Sequence, residues 1–267
     1  MRKLNDNFYN IATKNDWVDL SNFWTWPLKE ILDDVKKIPN EYWAKPFDGG
    51  KEQNRKNYNN TDSNIYLPGT EKNTKLIPAR GWKSVMFLND TGISDTQILT
   101  FKPVYDTIWQ YKDKWNYIKD KRTWTNVAQF SPKLQNFFEE NIFPYIDVGY
   151  IFITALESGG VITEHNDIPE GSVSLLNGPK LHSYDMCNAF NLCLNHVDNC
   201  YAVFNNKVMP SYEGCLMWTH TGKQHWVLNM NKEIQYKIIF QGFFKKPFRE
   251  KVVNDLAGEY LNDKELH

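Results

Sequence analysis

Hydrophobic positions along the chain follow two different periods, and the change falls near Pro144. Upstream, residues 21–40 place Leu28, Ile31, Leu32 and Val35 at helical spacing, with Pro27 near the start and Pro39 past the end, which predicts a short amphipathic helix. A second helix is expected in SPKLQNFFEEN. There Ser131 can cap the free backbone N–H groups, Pro132 suits the first turn, and Leu134, Phe137 and Phe138 share a face. That helix should stop before Pro144. WKSVMFLN and TQILTFKPV read as strands, whereas YDTIWQYKDKWNYIKD suits a helix or an extended chain equally. Residues 45 to 75, rich in Gly, Asn and Lys and without a period, read as a loop, either a lid or an insertion.

Downstream of Pro144 the texture is short apolar or alternating runs: VGYIFITAL, VITEHND, NAFNLCLNH, CYAVFN, CLMWTH, QHWVLNM and QYKIIFQGFF. Seven or eight short strands in about a hundred residues imply a sandwich or barrel. Ser158-Gly159-Gly160 and Glu213-Gly214 are expected to be turns between them. The charged stretch from Lys245 on reads as a peripheral helix or tail. At 267 residues one domain is sufficient. The expected division is an N-terminal elaboration over 1–130 packed on the barrel, a core over 131–247, and a tail or helix over 248–267.

Composition changes this picture little. Hydrophobic residues at 41% and charged residues at 24% are ordinary for a globular chain, and the 15% aromatic share predicts an aromatic-rich core. A net charge of -1 with mixed signs offers no clear nucleic-acid-binding surface. No apolar stretch approaches the roughly 20 residues of a membrane span, and the N-terminus lacks the apolar region of a signal peptide, so no membrane association and a cytoplasmic location are expected. Cys187, Cys193, Cys200 and Cys215 form no C-x-x-C pair and are expected to be buried reduced thiols.

The candidate chemistry begins at His165-Asn166-Asp167. Alternation along a strand points positions 165 and 167 the same way, so an imidazole and a carboxylate converge. A histidine from a later strand would complete two histidines and a carboxylate on one face of an octahedron, with the opposite positions open. His225, opening HWVLN after the turn Thr221-Gly222-Lys223-Gln224, is the natural third member. Taken alone, H-x-D recurs by chance, and His165 could be an ordinary strand histidine with Asp167 in a turn before Ile168-Pro169. His220 and His225 could instead suggest a zinc pair, although no cysteine has zinc-like spacing to them. His182 and His196 read as loop or surface histidines; Trp218, Trp226, Phe190 and Phe204 read as core. Arg80-Gly81-Trp82 is a possible substrate contact.

LESGGVITEHND resembles the turn and first ligand strand of 2-oxoglutarate/Fe(II) oxygenases, and GCLMWTHTGKQHWVLNMNKEIQYKIIFQG resembles their closing strands. Within that superfamily residues 131 to 245 look most like the aspartyl/asparaginyl β-hydroxylase-like group. The resemblance implies an α+β chain with a double-stranded β-helix core (jelly-roll, cupin-like) and an N-terminal helical and strand elaboration. It also implies a dioxygenase that hydroxylates a carbon of a small-molecule or peptide/protein substrate. Fe(II) is then held by His165, Asp167 and His225, and 2-oxoglutarate and O2 are consumed to give succinate and CO2. The family's usual arginine beyond the distal histidine falls at Gln235, and alternation puts Lys237 on the same face as the likelier cation for 2-oxoglutarate. As a point charge, lysine lacks arginine's bidentate fork. Asn191 is a further cosubstrate contact by position. The alternatives are a cupin-type metal enzyme that does not use 2-oxoglutarate and a non-catalytic jelly-roll binding module.

Overall fold

The structure is a computed structural model and describes residues 16–43, 80–89, 92, 94, 122–165, 188–219 and 223–245. The expectations for 45–75, TQILTFKPV, YDTIWQYKDKWNYIKD, His182, His220 and 248–267 lie outside these residues.

The apolar periods become elements largely as read. The strands are β1 (Trp17–Asp19), β2 (Arg80–Asn89), β3 (Thr123–Trp124), β4 (Ile146–His165), β5 (Asn188–Cys193), β6 (Cys200–Phe204), β7 (Lys207–Met209), β8 (Leu216–Thr219), β9 (His225–Asn229) and β10 (Gln235–Phe244). They form one antiparallel sheet in the order β1-β8-β5-β10-β4-β9-β6-β7, with β2 added beside β4 and β3 beside β2. The sheet curls into a near-closed barrel of jelly-roll type, the double-stranded β-helix arrangement.

One strand makes the curl possible. Residues 146–156 of β4 pair with β10, and 161–165 of the same strand pair with β9. The turn expected at Ser158-Gly159-Gly160 is therefore not a chain reversal. Arg80 pairs with Val161 and Trp82 with Leu156, so Glu157–Gly160 bulge out while β2 bridges the bend and keeps β4 continuous. The glycines are needed there. Gly81 has φ 61° and Gly159 φ 65°, and a Cβ on Gly160 would stand 2.7 Å from Glu157 O and 2.9 Å from Gly81 O. Glu213-Gly214 does form a turn, with Gly214 at φ 81°.

Alternation gives the sheet two unlike faces. Tyr236, Ile238 and Phe240 of β10 join Ile151, Ile153, Phe190, Leu192, Leu216 and Trp218 on the outer face. Against them pack α1 (Leu28–Val35), through Ile31 and Val35, and α2 (Pro132–Phe137), through Leu134. The helical segment continues past α2 in a wider π turn, Phe138–Ile142, and stops before Pro144 as its sequence predicts. Phe240 stacks on Phe190 with centroids 4.7 Å apart and meets Phe138 edge-on at 5.2 Å. Ser131 does not cap α2 with its side chain. Its Oγ donates to Asp34 Oδ2 at 3.2 Å, tying the start of α2 to α1. The other face turns into the barrel, where Cys193, Cys215 and Met217 meet Ala202, Phe204 and Met209 from the opposite wall. Among the described residues no helix is long and apolar enough to cross a membrane.

Candidate metal centre

The barrel brings two of the sequence-predicted ligands together. His165, the last residue of β4, is the direct cross-strand partner of His225, the first residue of β9. A register shift between Ile162 and His165 sets this pairing. The His165 side chain and the whole of Asp167 lie outside the described atoms. Among the described residues, which exclude Asp167, no three His, Cys, Asp or Glu side chains converge as metal ligands.

His225 is held in one orientation by its surroundings. It is 7% exposed, and its Nδ1 lies 2.9 Å from Lys223 O. A carbonyl can only accept, so the proton is assigned to Nδ1 and the neutral ring presents Nε2 as its lone-pair nitrogen. A metal-binding imidazole takes this form, with its other nitrogen donating to a backbone carbonyl. The ring also stacks on Phe204, centroids 4.8 Å apart and planes within 5°. Of the three candidate ligands only His225 has a described side chain, and its chemistry is that of a metal-binding imidazole. Phe204 is buried in the core as the sequence predicts, yet it is also the platform under His225, a role its apolar run gave no sign of.

Lys223 is anchored in turn. Its Nζ donates to Asp16 Oδ1 at 2.7 Å, and Lys207 Nζ reaches Asp16 Oδ2 at 3.0 Å. Burial alone would raise the Asp16 carboxyl; the two ammonium groups outweigh it and hold the acid below the usual carboxylate value.

Deeper in the lumen, Lys237 sits on β10 between Thr154 of β4 and Cys193 of β5. Among the described residues no carboxylate pairs with it. Beside Thr154, in register, is Ser84 of β2, and both hydroxyl residues are buried. Sequence reasoning passed over these two, although the alternation of VGYIFITAL puts the Thr154 hydroxyl on an otherwise apolar face. Asn191 Nδ2 donates to Thr219 Oγ1 at 2.9 Å. Gln235 is engaged differently: its Oε1 accepts from Cys200 Sγ at 3.1 Å, and its Nε2 lies 3.5 Å from Ser211 Oγ.

Cys193, Cys200 and Cys215 are free and buried, in line with the sequence reading; Cys187 lies outside the described residues. A hydrogen bond from the Cys215 thiol, aided by the Lys237 charge and Ser211, outweighs burial and pulls Cys193 down to about 7. Cys215 is raised because it is the donor of that bond and is itself buried. Burial pushes Cys200 up to about 11. His196 is a surface residue 3.2 Å from Asp198. Trp218, Trp226 and Phe190 are buried.

No protein-family model and no curated protein matches the sequence. Among solved structures the chain is similar to an oxidoreductase of the 2OG-Fe(II) oxygenase family from Burkholderia pseudomallei, 8% identical over 90% of each chain at a TM-score of 0.46. It is also similar to a prolyl hydroxylase from Trichoplax adhaerens, solved with a hypoxia inducible factor peptide fragment. That likeness is 14% identical, spans 96% of this chain and 93% of the other, and has a TM-score of 0.39. A cupin 2 conserved barrel domain protein from Salinispora arenicola matches 42% of this chain and 71% of its own length, at 12% identity and a TM-score of 0.25. None reaches a TM-score of 0.5, and the activity of none of them passes to this chain by likeness alone.

Proposed function

We propose that the chain is a non-haem Fe(II), 2-oxoglutarate-dependent dioxygenase that hydroxylates a carbon of a small molecule or of a peptide or protein side chain. The observation that carries this reading is the cross-strand pairing of His165 with His225, whose tautomer a backbone carbonyl fixes. His165, Asp167 and His225 would hold the iron. When bound, Fe(II) supplies the oxidation, in which O2 and 2-oxoglutarate become succinate and CO2 as a substrate C–H becomes C–OH.

The chain's own residues supply position and charge. Lys237 receives the far carboxylate of 2-oxoglutarate. Lys237 has no carboxylate partner among the described residues, so its positive charge in the lumen favours an anionic group such as the cosubstrate's carboxylate in that place. Thr154 and Ser84, in register beside Lys237, offer hydroxyls to the same group. Asn191 and Thr219 are tied to each other and stiffen the neighbouring wall. Gln235 is occupied by the thiols and Ser211, which leaves anchoring to Lys237.

Anaerobic titration of the apo-protein with Fe(II) and then 2-oxoglutarate tests this reading. A visible charge-transfer band should appear, and His165→Ala should lack it. Iron binding without a band would overturn the cosubstrate assignment; no iron binding would overturn the metal assignment. One observation favours the second reading, a cupin-type metal enzyme without 2-oxoglutarate. Cys193, held near neutrality beside Lys237, offers that lysine a counter-charge from within the protein.

A further inference from the structure

Asp16 occupies an unusual place in the fold. β1 and β7 are the two ends of the strand order. Asp16 directly precedes β1, Lys207 opens β7, and their ion pair at 3.0 Å joins the two edges. A carboxylate this buried is costly unless every oxygen is partnered, and both are. From this seam two paths lead to His225. In the first, Lys223 Nζ donates to Asp16 Oδ1 at 2.7 Å, and the same residue's carbonyl accepts from His225 Nδ1 at 2.9 Å. In the second, Asn205 Nδ2 reaches Asp16 Oδ1 at 3.4 Å and Asn205 N donates to Gln224 O at 2.8 Å, while the adjacent Phe204 stacks on the His225 ring.

We propose that Asp16 is a positioning residue for His225. It holds the Lys223 turn where its carbonyl can take the Nδ1 proton, and so aims Nε2 at the metal. The proposal rests on His225 being a metal ligand, as put forward above. It also gives the N-terminal segment a task at the site: a residue far from the barrel in sequence latches the histidine that closes the centre.

The test uses the full chain as wild type, Asp16→Ala, Lys223→Met, the double variant and Lys207→Met. The first readout is the long-range 1H–15N imidazole spectrum of the metal-free protein, which reports the His225 tautomer. The second is titration with Co(II) alone, followed by its visible absorption. Asp16→Ala and Lys223→Met should each turn a single Nδ1–H tautomer into a mixture and weaken Co(II) binding by about 10- to 100-fold. The double variant should be no weaker than Asp16→Ala, because losing Asp16 already cuts both paths. Lys207→Met, which removes the partner of Asp16 Oδ2 but keeps the Oδ1 link to Lys223, should move both readouts less than either Asp16→Ala or Lys223→Met. Lys223→Met keeps the test decisive if Asp16→Ala fails to fold.

Either of two results would overturn the proposal: an unchanged tautomer in Asp16→Ala and Lys223→Met, or losses in Lys207→Met as large as theirs. If wild type binds no Co(II), the metal reading fails on its own, and the tautomer spectrum still decides the role of Asp16.

Discussion

β10 carries two faces that behave as different materials. Tyr236, Ile238 and Phe240 are buried in the core between the sheet and the helices, and Phe240 stacks on Phe190 and meets Phe138 edge-on. One residue out of step, Gln235 and Lys237 look into the lumen among thiols and hydroxyls. The backbone is common to both, so the outer face can carry stability while the inner face stays polar and specific. Folding energy and candidate chemistry are thus separable on one strand.

Substitutions on the two faces test this separation. The largest effect is expected at the lumen mouth, where His225→Ala should abolish Fe(II)-dependent turnover while the melting curve stays close to that of the wild type. Persistent turnover would remove His225 from the centre. On the outer face, Phe240→Ala should cost about 3–5 kcal/mol of unfolding free energy by denaturant titration, because a fully buried, stacked ring leaves a cavity. A cost well under 1 kcal/mol would mean that the outer face is not the stability store. Back in the lumen, Lys237→Met should raise the 2-oxoglutarate concentration needed by roughly 10- to 100-fold, the worth of about 1.5–3 kcal/mol for a hydrogen bond to a charged group. Its Fe(II) affinity should be unchanged, and an unchanged 2-oxoglutarate requirement would favour the cupin reading.

The smallest effect is the pH signature of the lumen thiols. Cys193 is lowered from an ordinary 9.0 to about 7, so its contribution to stability is full above 9, and falls as pH drops through 7. Cys200, raised to about 11, works the other way: its contribution is full below 9 and is lost as pH climbs through 11. Absorbance near 240 nm should therefore show a thiolate forming around pH 7 that is missing in Cys193→Ser.

How much of this was legible depended on range. The helical spacing of Leu28, Ile31 and Val35 and the alternation of QYKIIFQGFF are local, and both produced their elements. The H-x-D pattern and the later histidine named the candidate ligands, and His165 and His225 do meet in register. Local signals misread Ser158-Gly159-Gly160, because a glycine-rich step looks like a reversal until β2 is known to pair on both sides of it. The short strands β1, β3 and β7 are too brief to show a period. Gln235 and Lys237 could be placed on one face from sequence, with Lys237 the likelier cation, but what each touches could not be read there. Only the packing shows that Cys200 and Ser211 occupy the first, while no described carboxylate pairs with the second.

Local sequence suffices to say which side chains share a face and which residue types could bind a metal, because backbone geometry fixes the alternation of side chains one residue at a time. The tertiary structure alone decided who meets whom: His165 with His225, Lys237 with Thr154 and Cys193, Asp16 with Lys223 and Lys207. Those partners lie far apart along the chain. Strand pairing and burial select them by satisfying hydrogen bonds and charges across the whole barrel at once, and no local period encodes that selection.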